Sequence, residues 1–489
     1  MIEQTAKQIL NNISSAFYGA DTHYSTVDGY VTRRIYLDSA ASCLMLKPAQ
    51  IAAEQFLAHY ANTHSNIHNS ALVANQTYQW AKQQVLDFLN ADSSEYACVF
   101  IGSGATAAAN RVASIFSGIR PNKTTALVSV MEHHSNDLPH RKYHQKVKHI
   151  GCHKIAGDSA AISLEQLEFE LEQAKGTANY FALTGASNVT GIINPIAACA
   201  QLCRQHDALF VLDGSQMLPH HKLDLTELTN KGASVDAVIF SGHKLYVPGA
   251  PGILVIKRKW LEQSPATEMG GGMVESVSQM DYQLMPDLVE RQEAGTPNIF
   301  GAVKLAMSLQ ILMQIGMDNI RGHEQEILHY CFHYLQQNPE VSIYASTNLA
   351  QCPRTATFSF NMHGVDHALL AKILNDYFNI AVRNQCFCAH PYVRELILPE
   401  LWALDNELTE AEVEAKKGMV RASFGLNNTM EDAQALVKAL NKIAKNKTEY
   451  TSNYRMDEQG NYHHVTHKPN WQTLFNPERA VAHALNTCL

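Results

Sequence analysis

Between Ile35 and about Gly301 the sequence alternates short apolar runs with longer stretches of helical periodicity, and that rhythm admits few architectures. Five runs stand out: Tyr96–Ile101, Ala126–Val130, Tyr180–Leu183, Leu209–Leu212 and Val235–Phe240. Each is short for a helix, mostly apolar, and bounded by polar or glycine residues. Parallel strands covered on both faces read in this way. The pattern predicts an α/β fold with a mostly parallel sheet and crossover helices, forming a large domain over residues 35–300. A helix is expected over Gln4–Phe17, and VKLAMSLQILMQIG (Val303–Gly316) reads as a long apolar helix. Strands expected at Thr357–Phe360 and Ile380–Arg383 flank a helix over Asp366–Tyr377, and a helix over Glu431–Lys445 follows. Residues 1–34 and 301–445 are therefore expected to form a smaller α+β domain, and 446–489 an extended polar tail.

Composition narrows the class. Hydrophobic residues make up 46% of the 489, and charged residues 17%, which excludes a disordered or coiled-coil chain. The formal charge is -8 with no Lys/Arg-rich block, so nucleic acid is not an expected partner. No apolar run reaches the ~18 residues of a membrane helix, and no membrane is expected. The opening MIEQTAKQIL lacks the pattern of a signal peptide, and ten scattered cysteines suit a reducing compartment. The expectation is a cytoplasmic enzyme.

In an open α/β sheet, ligands bind beyond the carboxyl ends of the strands. All five ends here carry polar residues. Ile101 is followed by GSGATAAAN, a glycine turn opening a helix, whose free N–H groups make an anion site with the Thr106 hydroxyl beside it. MEHHSN after Val130 brings Glu132, His133 and Asn136. ASNVTG brings Asn188, DGSQ brings Asp213 and Gln216, and SGHKLYVPG brings Ser241, His243 and Lys244. GSGATA also fits the dinucleotide pattern G-x-G-x-x-A at Gly102, Gly104 and Ala107. That reading wants an acidic residue ~20 positions on, and it leaves Asp213 and Lys244 idle. Together the five ends describe pyridoxal phosphate. A lysine can form a Schiff base with its aldehyde, a buried carboxylate can keep its ring nitrogen protonated, and a helix N-terminus can hold its phosphate.

With these residues in view, the chain resembles the class V aminotransferase family of fold-type-I pyridoxal-phosphate enzymes, and its cysteine desulfurase branch in particular. The resemblance is carried by YLDSAAS, SGATAAAN, MEHHSN, SNVTGIINPI, VLDGSQ, FSGHKLYVPG, RQEAGTPN, AVRNQCFCAHP and RASFGLNNT, in the family's order over residues 36–429. It implies that Lys244 is the Schiff-base lysine, Asp213 the ring-nitrogen partner, and Gln216 the contact to the ring hydroxyl. Asn188 would touch ring or substrate, and His133 would stack on the ring. Ala105, Thr106, Ser241 and His243 would form the phosphate cup, and Thr296 would reach the phosphate of a partner subunit in a homodimer. Arg421 would pair with the substrate carboxylate, and Cys388 would be the nucleophile. The implied reaction converts L-cysteine to L-alanine and an enzyme persulfide, for which a sulfur-acceptor protein is a further expected partner. Two departures stand out. Ala107 replaces the family's usual acidic residue, and Gln385, Cys386 and Phe387 replace the Gly and His that usually precede the reactive cysteine.

Alternatives remain open at this stage. Another class V reaction (transamination, lyase or epimerase chemistry) shares the early steps, and a non-catalytic binding protein could use the same scaffold. Taken singly, Asp213 could cap a helix, Arg421 could make a structural ion pair, His133 and His134 could be satisfied polar residues, and Cys388 could be an inert core thiol. Cys386 with Cys388 could form a redox pair. Cys199 with Cys203 reads as helix packing, and His463, His464 and His467 as a solvated tail. No metal site is expected.

Overall fold

The computed structural model describes residues 2–404, 409, 413 and 417–488. Its centre is a seven-stranded sheet in the order Tyr96–Ile101, Gly252–Lys257, Ala237–Ser241, Leu209–Asp213, Ala178–Thr184, Thr125–Ser129, Lys146–Ile150. Gly252–Lys257 runs antiparallel to both its neighbours, and the remaining pairs are parallel. All five expected strands are present, with ends shifted by up to two residues. Two more escaped the sequence reading. Gly252–Lys257 follows directly on the Lys244 turn and merges with that motif. Lys146–Ile150, KVKHI, is an edge strand, and its lysines are the charges that keep an edge from pairing further. Valine, isoleucine, leucine and phenylalanine on both faces put the strands between two apolar layers.

The smaller sheet has four antiparallel strands, Val341–Ile343, Thr357–Met362, Met419–Ser423 and Arg383–Gln385. The expected strand Ile380–Arg383 is split: Ile380–Ala381 pairs instead with Ile35–Tyr36, and Arg383–Gln385 joins the sheet. Leu37 N–H then donates to Ala381 O at 2.8 Å, and Leu37 O accepts from Ser423 N–H at 2.9 Å, so the segment leading to Asp38 is stitched into the smaller unit.

Three expectations need correction. The first helix is Ile2–Ile13, and Ile13 and Phe17 pack into the core of the large sheet; only the hairpin His23–Ser25/Val31–Arg33 joins the smaller unit, where the Asn379 amide donates to Tyr24 O at 2.8 Å. The helix Ile299–Ile315 also belongs to the large core, because it is apolar around most of its circumference and packs on Lys47–Leu57 and Asn69–Phe88. Beyond Lys445 the chain first packs on the smaller unit, and only residues 468–488 are exposed throughout as a polar tail would be. Tyr454–Met456 and Tyr462–His464 form a hairpin on the smaller unit, with Tyr454 donating to Asp376 at 3.1 Å and His464 within 3.1 Å of the Tyr377 hydroxyl. The aromatic rings in a polar sequence supply the buried contacts.

Candidate active site

The carboxyl ends of the parallel strands open onto a cavity of about 350 Å³, the size of a small-ligand site. It gathers Ala105, Thr106, His133, Asn188, Asp213, Gln216, Ser241, His243, Lys244, Cys388 and Arg421. Thr296 is the one expected residue that the single chain does not bring there. It lines a neighbouring cavity with Arg111 and Ser103, and its hydroxyl accepts from Asn62 at 3.3 Å.

One wall is an anion cup. The helix Gly104–Ile119 starts at Gly104 with φ +59°, where an added Cβ would lie 2.9 Å from Ser241 Oγ. Glycine is required twice over, by conformation and by space. Ala105 N–H donates to Ser241 Oγ at 2.7 Å, and Thr106 Oγ1 is 2.7 Å from Ser135 Oγ. His243 Nδ1 lies 3.2 Å from Ser42 Oγ.

The floor holds the charges. Asp213 ends its strand and is buried; its Oδ1 accepts from Ser215 N–H at 2.9 Å. Burial pushes its pKa up, opposed by the Ser215 hydrogen bonds and by the Lys244 cation. Lys244 lies in the turn Gly242–Lys244 on the adjacent strand, and burial lowers its pKa while Asp213 works in the other direction. The two are thus electrostatic partners. His133 is pulled down to about 3, first by burial and then by the Lys244 cation, so its ring is neutral. Glu132, behind them, accepts from Thr184 N–H at 2.6 Å and from the Asn136 amide at 2.7 Å, and burial raises its pKa to about 8. The Gln216 amide donates to Ala40 O at 2.7 Å.

The smaller unit supplies the opposite wall. Arg421 on Met419–Ser423 donates to Asn188 O at 2.8 Å and to Asp38 at 3.0 Å, while its buried Nε has no partner. The Phe387 ring centre is 4.8 Å from its guanidinium carbon, and Arg383 stands 3.8 Å from the same Asp38. Cys388 is exposed, in a loop where Gln385, Phe387 and Cys388 take φ of 90°, 50° and 54°. The large unit clamps this loop: the Asn188 amide donates to Phe387 O and His134 N–H to Cys388 O, both at 2.7 Å. Cys386 is buried. Asp38, Ser135, Ser215, Arg383 and Phe387 line or brace the site without having been singled out for a role. Each had the same signal, a place in a matching segment: Asp38 in YLDSAAS, Ser135 in MEHHSN, Ser215 in VLDGSQ, and Arg383 and Phe387 in AVRNQCFCAHP.

Residues 35–436 match the family described as Aminotransferase class-V. A cysteine desulfurase from Escherichia coli is 32% identical over 418 residues, which cover 83% of this chain and 93% of that protein. Among solved structures, an apo cysteine desulfurase from Thermococcus onnurineus NA1 matches with a TM-score of 0.72 and 27% identity, covering 84% of this chain and 95% of its own. An Escherichia coli cysteine desulfurase in an S-sulfonic acid form matches with a TM-score of 0.68 and 25% identity, covering 84% and 95%.

Proposed function

The chain belongs to the aminotransferase class-V family, and from that premise we propose that it is a pyridoxal-phosphate enzyme that removes sulfur from L-cysteine, leaving L-alanine and a persulfide on Cys388. The observation that carries this reading is the convergence of Lys244, Asp213, Arg421 and Cys388 on one cavity. The donor set also suits the cofactor. Gly104, which tolerates no side chain, opens a ring of hydroxyl and amide groups for a phosphate, and the buried Asp213 suits a protonated ring nitrogen. Ala105, Thr106, Ser241 and His243 would hold the phosphate, His133 would cover the ring, and Gln216 and Asn188 would contact its edge.

When bound, the cofactor supplies an electron sink for the pair left at the substrate Cα. Burial biases Lys244 towards its neutral amine, the form that takes a proton from Cα at Nζ. The Asp213 charge works against that bias. Arg421 receives the substrate carboxylate, with Nε as the donor still without a partner. Cys388 as thiolate then bonds to the substrate sulfur. The Cβ–S bond breaks with its electron pair remaining on carbon, and protonation of Cβ together with return of a proton to Cα from Lys244 Nζ gives alanine.

The reading extends to a cytoplasmic homodimer in which Thr296 serves the partner's phosphate cup. Exposed Met269, Val277, Met280 and Tyr282 near that segment support a second copy. A sulfur-acceptor protein would take the persulfide sulfur. One observation favours a second reading, another class V reaction on an amino acid: Gln385, Cys386 and Phe387 depart from the pattern before the desulfurase cysteine. Incubation of the purified protein with L-cysteine, assaying alanine and sulfide, separates them. Equal yields of alanine and released or enzyme-bound sulfur support desulfuration. Pyruvate or a keto acid favours the second reading, and no cofactor absorbance with no product points to a non-catalytic scaffold.

A further inference from the structure

Ser135 has no role in the motifs above, yet its hydroxyl stands where two of them meet. Its Oγ lies 2.7 Å from Thr106 Oγ1 and 3.0 Å from His133 Nδ1. Its own backbone N–H donates to the same Nδ1 at 3.1 Å. An amide N–H can only donate, so Nδ1 is an acceptor and the proton of the neutral imidazole is on Nε2.

The hydroxyls carry one proton each. With nothing in the cup, the favourable direction runs from Thr106 O–H to Ser135 Oγ, and from Ser135 O–H to His133 Nδ1. A phosphate at the start of the Gly104–Ile119 helix would draw the Thr106 proton to itself. Thr106 Oγ1 would then be left as an acceptor 2.7 Å from Ser135, and the Ser135 proton could turn to it. Donation into a hydroxyl strengthens the bond that hydroxyl donates, so the two bonds support each other. His133 Nδ1 would keep its amide donor throughout, which preserves the tautomer while the hydroxyl changes sides.

We propose that Ser135 is a positioning residue of the cofactor site: its hydroxyl turns from His133 Nδ1 to Thr106 Oγ1 when a bound phosphate takes the Thr106 proton, which ties occupancy of the anion cup to the His133 ring. This rests on the cofactor reading above. The test compares binding of pyridoxal phosphate with binding of pyridoxal, which leaves the cup empty, by equilibrium dialysis against the full chain. A hydrogen bond of ~1 kcal/mol net corresponds to about five-fold in Kd. Filling the cup costs the wild type its Ser135–His133 bond and costs the variant nothing, so Ser135→Ala should bind pyridoxal phosphate about five-fold more tightly while its affinity for pyridoxal is unchanged, and Ser135→Thr should restore the wild-type ratio. Ring-nitrogen NMR of wild-type His133 should give protonated Nε2 and bare Nδ1. Weaker binding of pyridoxal phosphate, equal changes for both compounds, no change for either, or an Nδ1–H tautomer would overturn the assignment while leaving the cofactor reading in place. Failure of the wild-type chain to bind either compound would overturn both.

Discussion

The two walls of the cavity are built on different principles. The large unit presents its groups from the ends of buried strands, where register decides the spacing: Asp213 faces Thr184 on one side and Ile239 on the other. The smaller unit presents Cys388 from a loop with three non-glycine residues in the left-handed region, each costing about 1–3 kcal/mol. That loop holds its shape because Asn188, His134 and the Arg421–Phe387 contact determine it from outside. A cradle set by sheet geometry takes its spacing from strand register within one unit. A strained loop braced by the opposite wall is sensitive to both units at once.

The largest expected effect lies in the cradle. Lys244→Ala should abolish turnover, a loss of at least ~1000-fold, while leaving the phosphate cup able to bind the cofactor. Borohydride reduction of the loaded wild-type protein should label Lys244; a label on another lysine would break the assignment of this wall. Gly104→Ala should come next. With a Cβ 2.9 Å from Ser241 Oγ at a positive φ, it should weaken cofactor binding about ten-fold or more, measured by dialysis.

Glu132 gives the cradle a pH signature. Its pKa rises from an ordinary 4.5 to about 8 through burial, so the folded state binds the proton more tightly than the unfolded state does. The stabilisation is complete below about 4.5 and is lost as the pH rises towards about 8. Thermal melts of the apo chain across that window should fall with pH, and Glu132→Gln should flatten the slope. An unchanged slope would mean that Glu132 is not the titrating group.

The loop should answer in the opposite sense to Gly104. Gln385, at φ 90°, occupies a conformation that suits glycine, so Gln385→Gly should relieve strain and raise stability by about 1 kcal/mol in a denaturant melt. Destabilisation by this change would show that side-chain contacts of Gln385 outweigh its backbone, and would remove the contrast between the walls.

Much of the cradle was legible because strand ends are marked by an abrupt change from apolar to polar residues, as in VLDGSQ and FSGHK. The crossover pattern also sufficed to predict the parallel sheet. The edge strand Lys146–Ile150 was not legible, since its lysines replace the apolar pattern that identifies its neighbours. The loop was harder still. No local preference puts Phe387 or Cys388 in the left-handed region, and the clamps come from residues about 200 and 250 positions away in the chain. The hairpin beyond Lys445 was missed because its burial depends on Tyr450, Tyr454 and His464 meeting Tyr377 and Asp376, a purely tertiary event.

The division of labour between the walls is tested most directly by Cys388→Ala. In a desulfurase the thiol is needed only after the Cα proton has left, so the variant should keep the cofactor absorbance and bind L-cysteine. It should also lose persulfide entirely and nearly all alanine formation. Cys386→Ala, which removes a buried neighbour, should be milder. Undiminished alanine formation in Cys388→Ala would contradict the desulfurase reading and leave Lys244 as the group that carries the reaction alone.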